Sequence, residues 1–81
     1  MTRDEINSAL TGVFREVLQD PEVTLFDEMT ANDHDAWDSM SHIHLIIEVE
    51  KHFGVRFRNS EIARLQNVGD LVKLISTKKA G

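Results

Sequence analysis

The sequence predicts an all-α fold: a small antiparallel bundle of three principal helices plus one short helix, with a long ordered loop between helices 1 and 2. Apolar residues recur at spacings of three and four in three separate segments, and each segment opens on a residue pattern that caps helices. No two alternating segments flank a hairpin turn, so a strand pair has no sequence support. At 81 residues the chain holds one domain, residues 1–81, with one modest core.

Thr2 followed by Glu5 has the spacing of a capping box, in which each side chain satisfies a backbone N–H left free at a helix start. Ile6, Leu10, Val13, Phe14, Val17 and Leu18 then form one apolar stripe on a helix expected to end near Asp20-Pro21. From Asp20 to Asp38 the helical period vanishes, and seven acidic residues appear without one Lys or Arg. Unstructured connections of this length are uncommon in compact domains. Val23, Leu25, Phe26, Met29 and Trp37 are therefore expected to pin the loop to the bundle.

The second helix is expected over Asp38 to Phe53, with Asp38 as N-cap and Gly54 where the chain leaves through a left-handed conformation. Val55 and Phe57 alternate with Arg56 and Arg58 and dip into the core, and Asn59 or Ser60 is expected to cap a short element through Leu65. Asn67, with Asp70 three residues on, caps the last helix, whose apolar face is Val68, Leu71, Val72 and Ile75. Lys78 to Gly81 are expected to fray.

At about 100° per residue, Leu45, Ile46, Val49 and Phe53 share one sector of the second helix, enough to bury it. Met40, Ile43 and Ile47 form a second sector, with His44 and Lys51 beside it and Glu50 at its far edge. One explanation is packing on two neighbours. The other is a partner-docking surface, since apolar anchors at i, i+3 and i+7 within a polar rim suit a helix-mediated contact.

Composition excludes several function classes. The chain has no cysteine, so thiol chemistry needs an added group and no disulfide or thiolate metal site exists. The net charge of −5 divides unevenly: residues 1–40 hold two basic and ten acidic side chains, residues 41–81 seven basic and four acidic. Without clustered Lys and Arg to neutralise phosphates, nucleic acid is not an expected partner. No segment is long and apolar enough to enter a bilayer, and the first ten residues lack the apolar run of a signal peptide, so a monomeric cytoplasmic protein is expected.

Trp37-Asp38-Ser39-Met40 and the helix through Phe53-Gly54-Val55 resemble the Asp-Ser-Leu signature and following helix of phosphopantetheine-binding acyl carrier proteins. The likeness extends over nearly the whole chain, including the Asn67-Val68-Gly69-Asp70-Leu71 segment. It implies a carrier, not an enzyme. Ser39 would take a covalent 4′-phosphopantetheine from coenzyme A through a separate magnesium-dependent phosphopantetheinyl transferase, with Asp38 capping the helix and presenting a carboxylate to that transferase. The arm would carry acyl groups as thioesters between acyl-loading and acyl-accepting enzymes of fatty acid, polyketide or related biosynthesis.

The resemblance also implies partner recognition by the helix after the serine, through Met40, Ile43, His44, Ile47, Glu50 and Lys51. Departures are informative: fatty-acid-synthesis members are strongly acidic along this helix, whereas this chain places His42, His44 and Lys51 there while keeping Glu48 and Glu50, so its docking charge is weaker and mixed. Trp37 before Asp-Ser looks more like discrete carriers of specialised pathways. An unmodified helical interaction module and a peptidyl or aminoacyl carrier remain alternatives from the sequence alone. A Ser39, His42, Asp38 hydrolytic triad lacks any oxyanion hole in the pattern. Asp33, Asp35 and Asp38 depart from a calcium loop at its glycine and glutamate positions, so no metal is expected. His42 falls in the core sector, where a partly buried, hydrogen-bonded role is expected.

Overall fold

A computed structural model describes residues 2–80, and among these every regular element is helical. The elements are α1 (Arg3–Val17), α2 (Ser39–Phe53), α3 (Asn59–Ala63) and α4 (Val68–Ala80), with one 3₁₀ turn at Ala31–Asp33. The all-α class and the order of three principal helices and one short one are as the sequence predicts, while several helix ends differ.

The capping box of α1 forms in both directions: Thr2 Oγ1 accepts the Glu5 N–H at 3.2 Å and Glu5 Oε1 accepts the Thr2 N–H at 2.8 Å. The helix ends at Val17, earlier than expected. Gln19 turns left-handed at φ 54°, and the Asp20 N–H reaches back to the Arg15 carbonyl at 3.0 Å, a Schellman-type ending. Such endings are normally marked by glycine. Gln19 is not, which hid this one from the sequence.

The acidic loop is ordered by three buried apolar anchors, Val23, Met29 and Trp37. Leu25 is half-buried, but Phe26, expected among the anchors, is 49 % exposed. Here the Met29 N–H bonds the Phe26 carbonyl at 3.0 Å, so a local turn buries the methionine and leaves the phenyl ring outside. Polar contacts complete the attachment: Arg15 Nε donates to the Val23 carbonyl at 3.0 Å, and Asp20 Oδ2 pairs with His34 Nε2 at 2.9 Å. Asp20 is held below the ordinary aspartate range, first by His34 and then by the Glu22 N–H. The 3₁₀ turn is capped by Thr30, whose own N–H is accepted by Asp33 at 2.9 Å. Three residues show no period, so the pattern missed it.

The loop also caps α4. Val68 and Gly69 donate their N–H groups to the Met29 and Asp27 carbonyls, each at 2.9 Å, which satisfies first-turn amides that a helix leaves free. A side chain at residue 69 would place Cβ 3.0 Å from the Asp27 carbonyl oxygen, so this close approach of backbone to backbone favours glycine. Asn67 caps the same helix as predicted, accepting the Asp70 N–H at 2.8 Å.

Two expectations about the C-terminal third are corrected. The short helix opens one residue earlier, after Arg58, and is capped from inside by Glu61, which accepts the Arg58 N–H at 2.8 Å. Lys78 and Lys79 are helical rather than frayed: Lys78 pairs with Glu61 at 2.9 Å and Lys79 donates to the Phe53 carbonyl at 3.1 Å. Those contacts hold the last turn of α4 against α3 and α2. Gly81 lies outside the described residues. The core combines Ile6, Leu10 and Phe14 of α1 with Leu45 and Val49 of α2 and Val68, Val72 and Ile75 of α4, all essentially without solvent contact.

Candidate functional site at the start of α2

Ser39 is the first residue of α2 and is exposed. Asp38 before it is extended, and its Oδ1 accepts the Ser41 N–H at 2.9 Å, which starts the helix. That hydrogen bond keeps the Asp38 carboxyl below the ordinary aspartate range, so it is anionic at neutral pH. Asp38 therefore supplies the cap and leaves the Ser39 hydroxyl out of it. Ser39 and Met40 also contribute backbone amides that have no acceptor within the helix, at the positive end of its dipole.

The approach to Ser39 is fixed from beneath. Trp37 is buried with its ring edge-on to Phe14 at a centroid distance of 5.1 Å. Its indole Nε1–H donates to His42 Nδ1 at 3.2 Å, and the two rings stack at 6.2 Å. Since Nδ1 accepts, the imidazole proton sits on Nε2. The Ser41 hydroxyl donates to the Ala36 carbonyl at 2.6 Å. Residues 36–38 are thus tied to the first turn of α2 by three separate hydrogen bonds. His42 was foreseen as a bonded, half-buried residue. Its partner and the role of Ser41 were not, although a buried indole N–H usually finds an acceptor.

Along α2 the two apolar sectors have different fates. Leu45, Ile46, Val49 and Phe53 are buried, while Met40, Ile43 and Ile47 are 81 %, 62 % and 48 % exposed. The second stripe does not pack on a neighbouring helix. His44 and Lys51 stand beside it, both exposed, with Glu48 Oε1 3.6 Å from each. Glu50, expected at the far edge of this face, is half-buried and accepts the Phe57 N–H at 2.8 Å. A cleft of about 270 Å³ separates α2 from α3, walled by Ile43, Ile46, Ile47, Phe57 and Ile62.

Ser39, Asp38 and the exposed stripe are therefore contiguous, and His42 is turned to Trp37 instead of assisting the serine hydroxyl. An exposed hydroxyl at the start of a helix, at the positive end of its dipole, fits a phosphodiester. It does not fit a nucleophile that needs its own base.

The chain is similar to known proteins over most of its length. A family profile described as the phosphopantetheine attachment site matches residues 8–75. The acyl carrier protein of Acidothermus cellulolyticus is 30 % identical over 76 residues, covering 94 % of this chain and 90 % of that one. The acyl carrier protein of Thermotoga maritima is 29 % identical over 77 residues, covering 95 % of each chain. The solution structure of the holo acyl carrier protein from Geobacter metallireducens superposes with a TM-score of 0.86 at 46 % identity, covering 90 % of this chain and 84 % of that one. The chain belongs to the acyl carrier protein family, whose members are carriers rather than catalysts and hold phosphopantetheine covalently.

Proposed function

We propose that Ser39 is the attachment residue and that the protein presents acyl groups on this arm to partner enzymes that dock on α2. One observation carries the reading: an exposed serine opens a helix whose next exposed residues form an apolar stripe that the bundle leaves uncovered. Ser39 would hold the phosphodiester, the amides of the first turn of α2 would stabilise its charge, and Asp38 would keep that turn formed while offering a carboxylate to the transferase. The arm supplies the thiol, and hence the thioester, that a chain without cysteine cannot.

Docking belongs to Met40, Ile43 and Ile47, with His44 and Lys51 at their border. Glu50 supports that face through Phe57. Tethering makes strong docking unnecessary, because a short flexible link raises local concentration to about the mM range. The cleft between α2 and α3 offers a cargo an apolar wall. Residues 1–81 act as one monomeric domain in the cytoplasm, a placement consistent with the lack, among the described residues, of any helix long and apolar enough to cross a membrane. Trp37 and the histidines of α2 favour service in a specialised pathway. Good turnover of the loaded protein by ordinary fatty acid elongation enzymes alone would overturn that last assignment.

Intact mass after incubation with coenzyme A, magnesium and a broad-specificity phosphopantetheinyl transferase tests the attachment. The expected result is a gain of one phosphopantetheine that Ser39→Ala abolishes while the helical circular dichroism is unchanged. A gain that survives in Ser39→Ala, or no gain with several transferases, overturns it.

A further inference from the structure

One half-buried imidazole has no contact with Ser39 and yet holds the segment that leads to it. His34 stands five residues before Ser39 in the acidic loop, with 18 % of its side chain exposed. Its Nδ1 accepts the Ala36 N–H at 3.1 Å. The ring proton therefore sits on Nε2, which donates to Asp20 Oδ2 at 2.9 Å. The His34 carbonyl accepts the Trp37 N–H at 3.1 Å, and the His34 N–H donates to the Ala31 carbonyl at 3.4 Å. Every hydrogen-bonding group of this residue is engaged.

Together these bonds run from the end of α1 to the start of α2. Asp20, whose N–H closes α1 on the Arg15 carbonyl, holds the imidazole, and the imidazole holds Ala36. The Ala36 carbonyl belongs to the same planar peptide unit as the Trp37 N–H, and it accepts the Ser41 hydroxyl at 2.6 Å. One edge of that peptide is thus bound by His34 and the other by the first turn of α2. A residue that only stapled the loop to α1 would need the Asp20 contact alone. The bonds to Ala36 and Trp37 act instead on the two residues that precede Asp38 and Ser39.

We propose, resting on the carrier reading above, that His34 is a positioning residue for the loading of Ser39: it holds the Ala36–Trp37 peptide so that Asp38 and Ser39 meet the transferase in one orientation. Without the imidazole, the Ala36 N–H has no acceptor among the described residues. The turn then samples other orientations, and the apparent affinity of the transferase falls with the fraction that is competent.

The test follows loading of the full chain by intact mass over a range of carrier concentrations, with amide exchange measured on the same isotopically labelled variants. His34→Ala is expected to raise the KM for the carrier about fivefold, the scale of one net hydrogen bond, with kcat and helical circular dichroism unchanged. Exchange at Ala36 and Trp37 is expected to accelerate in that variant while Val49 keeps its parent rate. His34→Asn supplies an oxygen that can bond the N–H two residues on, as asparagine does in an Asx turn, and is expected to restore both KM and exchange. A parent-like KM in His34→Ala, a raised KM that His34→Asn leaves raised, a loss confined to kcat, or Val49 exchange that accelerates in step with Ala36 would each overturn the proposal. Loss of helical circular dichroism in His34→Ala would also overturn it, by assigning His34 to the fold. A parent chain that several transferases fail to load strikes the carrier reading itself, whereas a parent that loads beside an unmoved KM in His34→Ala strikes only this proposal.

Discussion

The two apolar stripes of α2 are made of similar residues on one rigid helix, yet one is inside the protein and the other faces water. Leu45, Ile46, Val49 and Phe53 complete the core. Met40, Ile43 and Ile47 leave about half or more of their surface in solvent. The hydrophobic effect favours covering both stripes, and α1 and α4 are available to cover only one. Exposed apolar groups that run together along a helix, rimmed by charge, mark a contact with something outside the chain. The comparison teaches that amphipathicity alone does not measure how much of a helix the fold uses.

The largest effect that breaks or sharpens this contrast is a pair of truncations of similar size. Leu45→Ala removes a fully buried side chain and is expected to cost about 2–5 kcal/mol in unfolding free energy. Ile47→Ala is expected to stay within about 0.5 kcal/mol of the parent, as surface substitutions do, while slowing acyl transfer to partner enzymes. Urea unfolding of both variants checks the first half, and transfer assays check the second. A large stability loss in Ile47→Ala would mean that the exposed stripe belongs to the fold after all.

Most of this division was legible beforehand, because helical period separates the two sectors by angle. What the sequence lacked was the identity of the covering surface. The same limit explains the misses. Phe26 has the composition of an anchor, but a turn closed by Met29 decides which of the two is buried. Lys78 and Lys79 look like a solvated tail until Glu61 and the Phe53 carbonyl, distant in sequence, are brought to them. Glu50 sits at the edge of the outer sector by angle, and the Phe57 N–H, seven residues on, draws it inward. Caps, in contrast, are local, and those at Thr2, Asp38, Gly54 and Asn67 were all readable from neighbours within a turn.

A smaller effect is expected at the boundary of the two stripes, where His42 meets Trp37. Trp37→Phe keeps an aromatic ring near Phe14 but removes the indole N–H, leaving His42 Nδ1 without its donor. Loss of one such partner at a partly buried group costs about 1–3 kcal/mol. The expected outcome is a lower thermal midpoint with little change in phosphopantetheine loading, because Asp38 and Ser41 still form the first turn. Loading that falls far more than stability would show that Trp37 shapes the transferase site directly.

The smallest effect separates the stripes by pH. The Asp38 carboxyl titrates below its ordinary value of 3.8 because the Ser41 N–H favours the anion. With the folded value depressed, its contribution is complete well above 3.8 and is lost as pH falls past 3.8 through the lower folded value. Protonation weakens the cap at the Ser39 end and leaves Val49 and Phe53 buried. Amide exchange of Ser41 and His42 should therefore accelerate, relative to Val49, as the solution is acidified through this range. Asp38→Asn retains a capping oxygen but has no proton to gain, so its first turn should not show that acid-dependent loosening. If Val49 loosens in step with Ser41 in the parent, the helix opens as one unit, and the outer stripe has no local stability separate from the inner one.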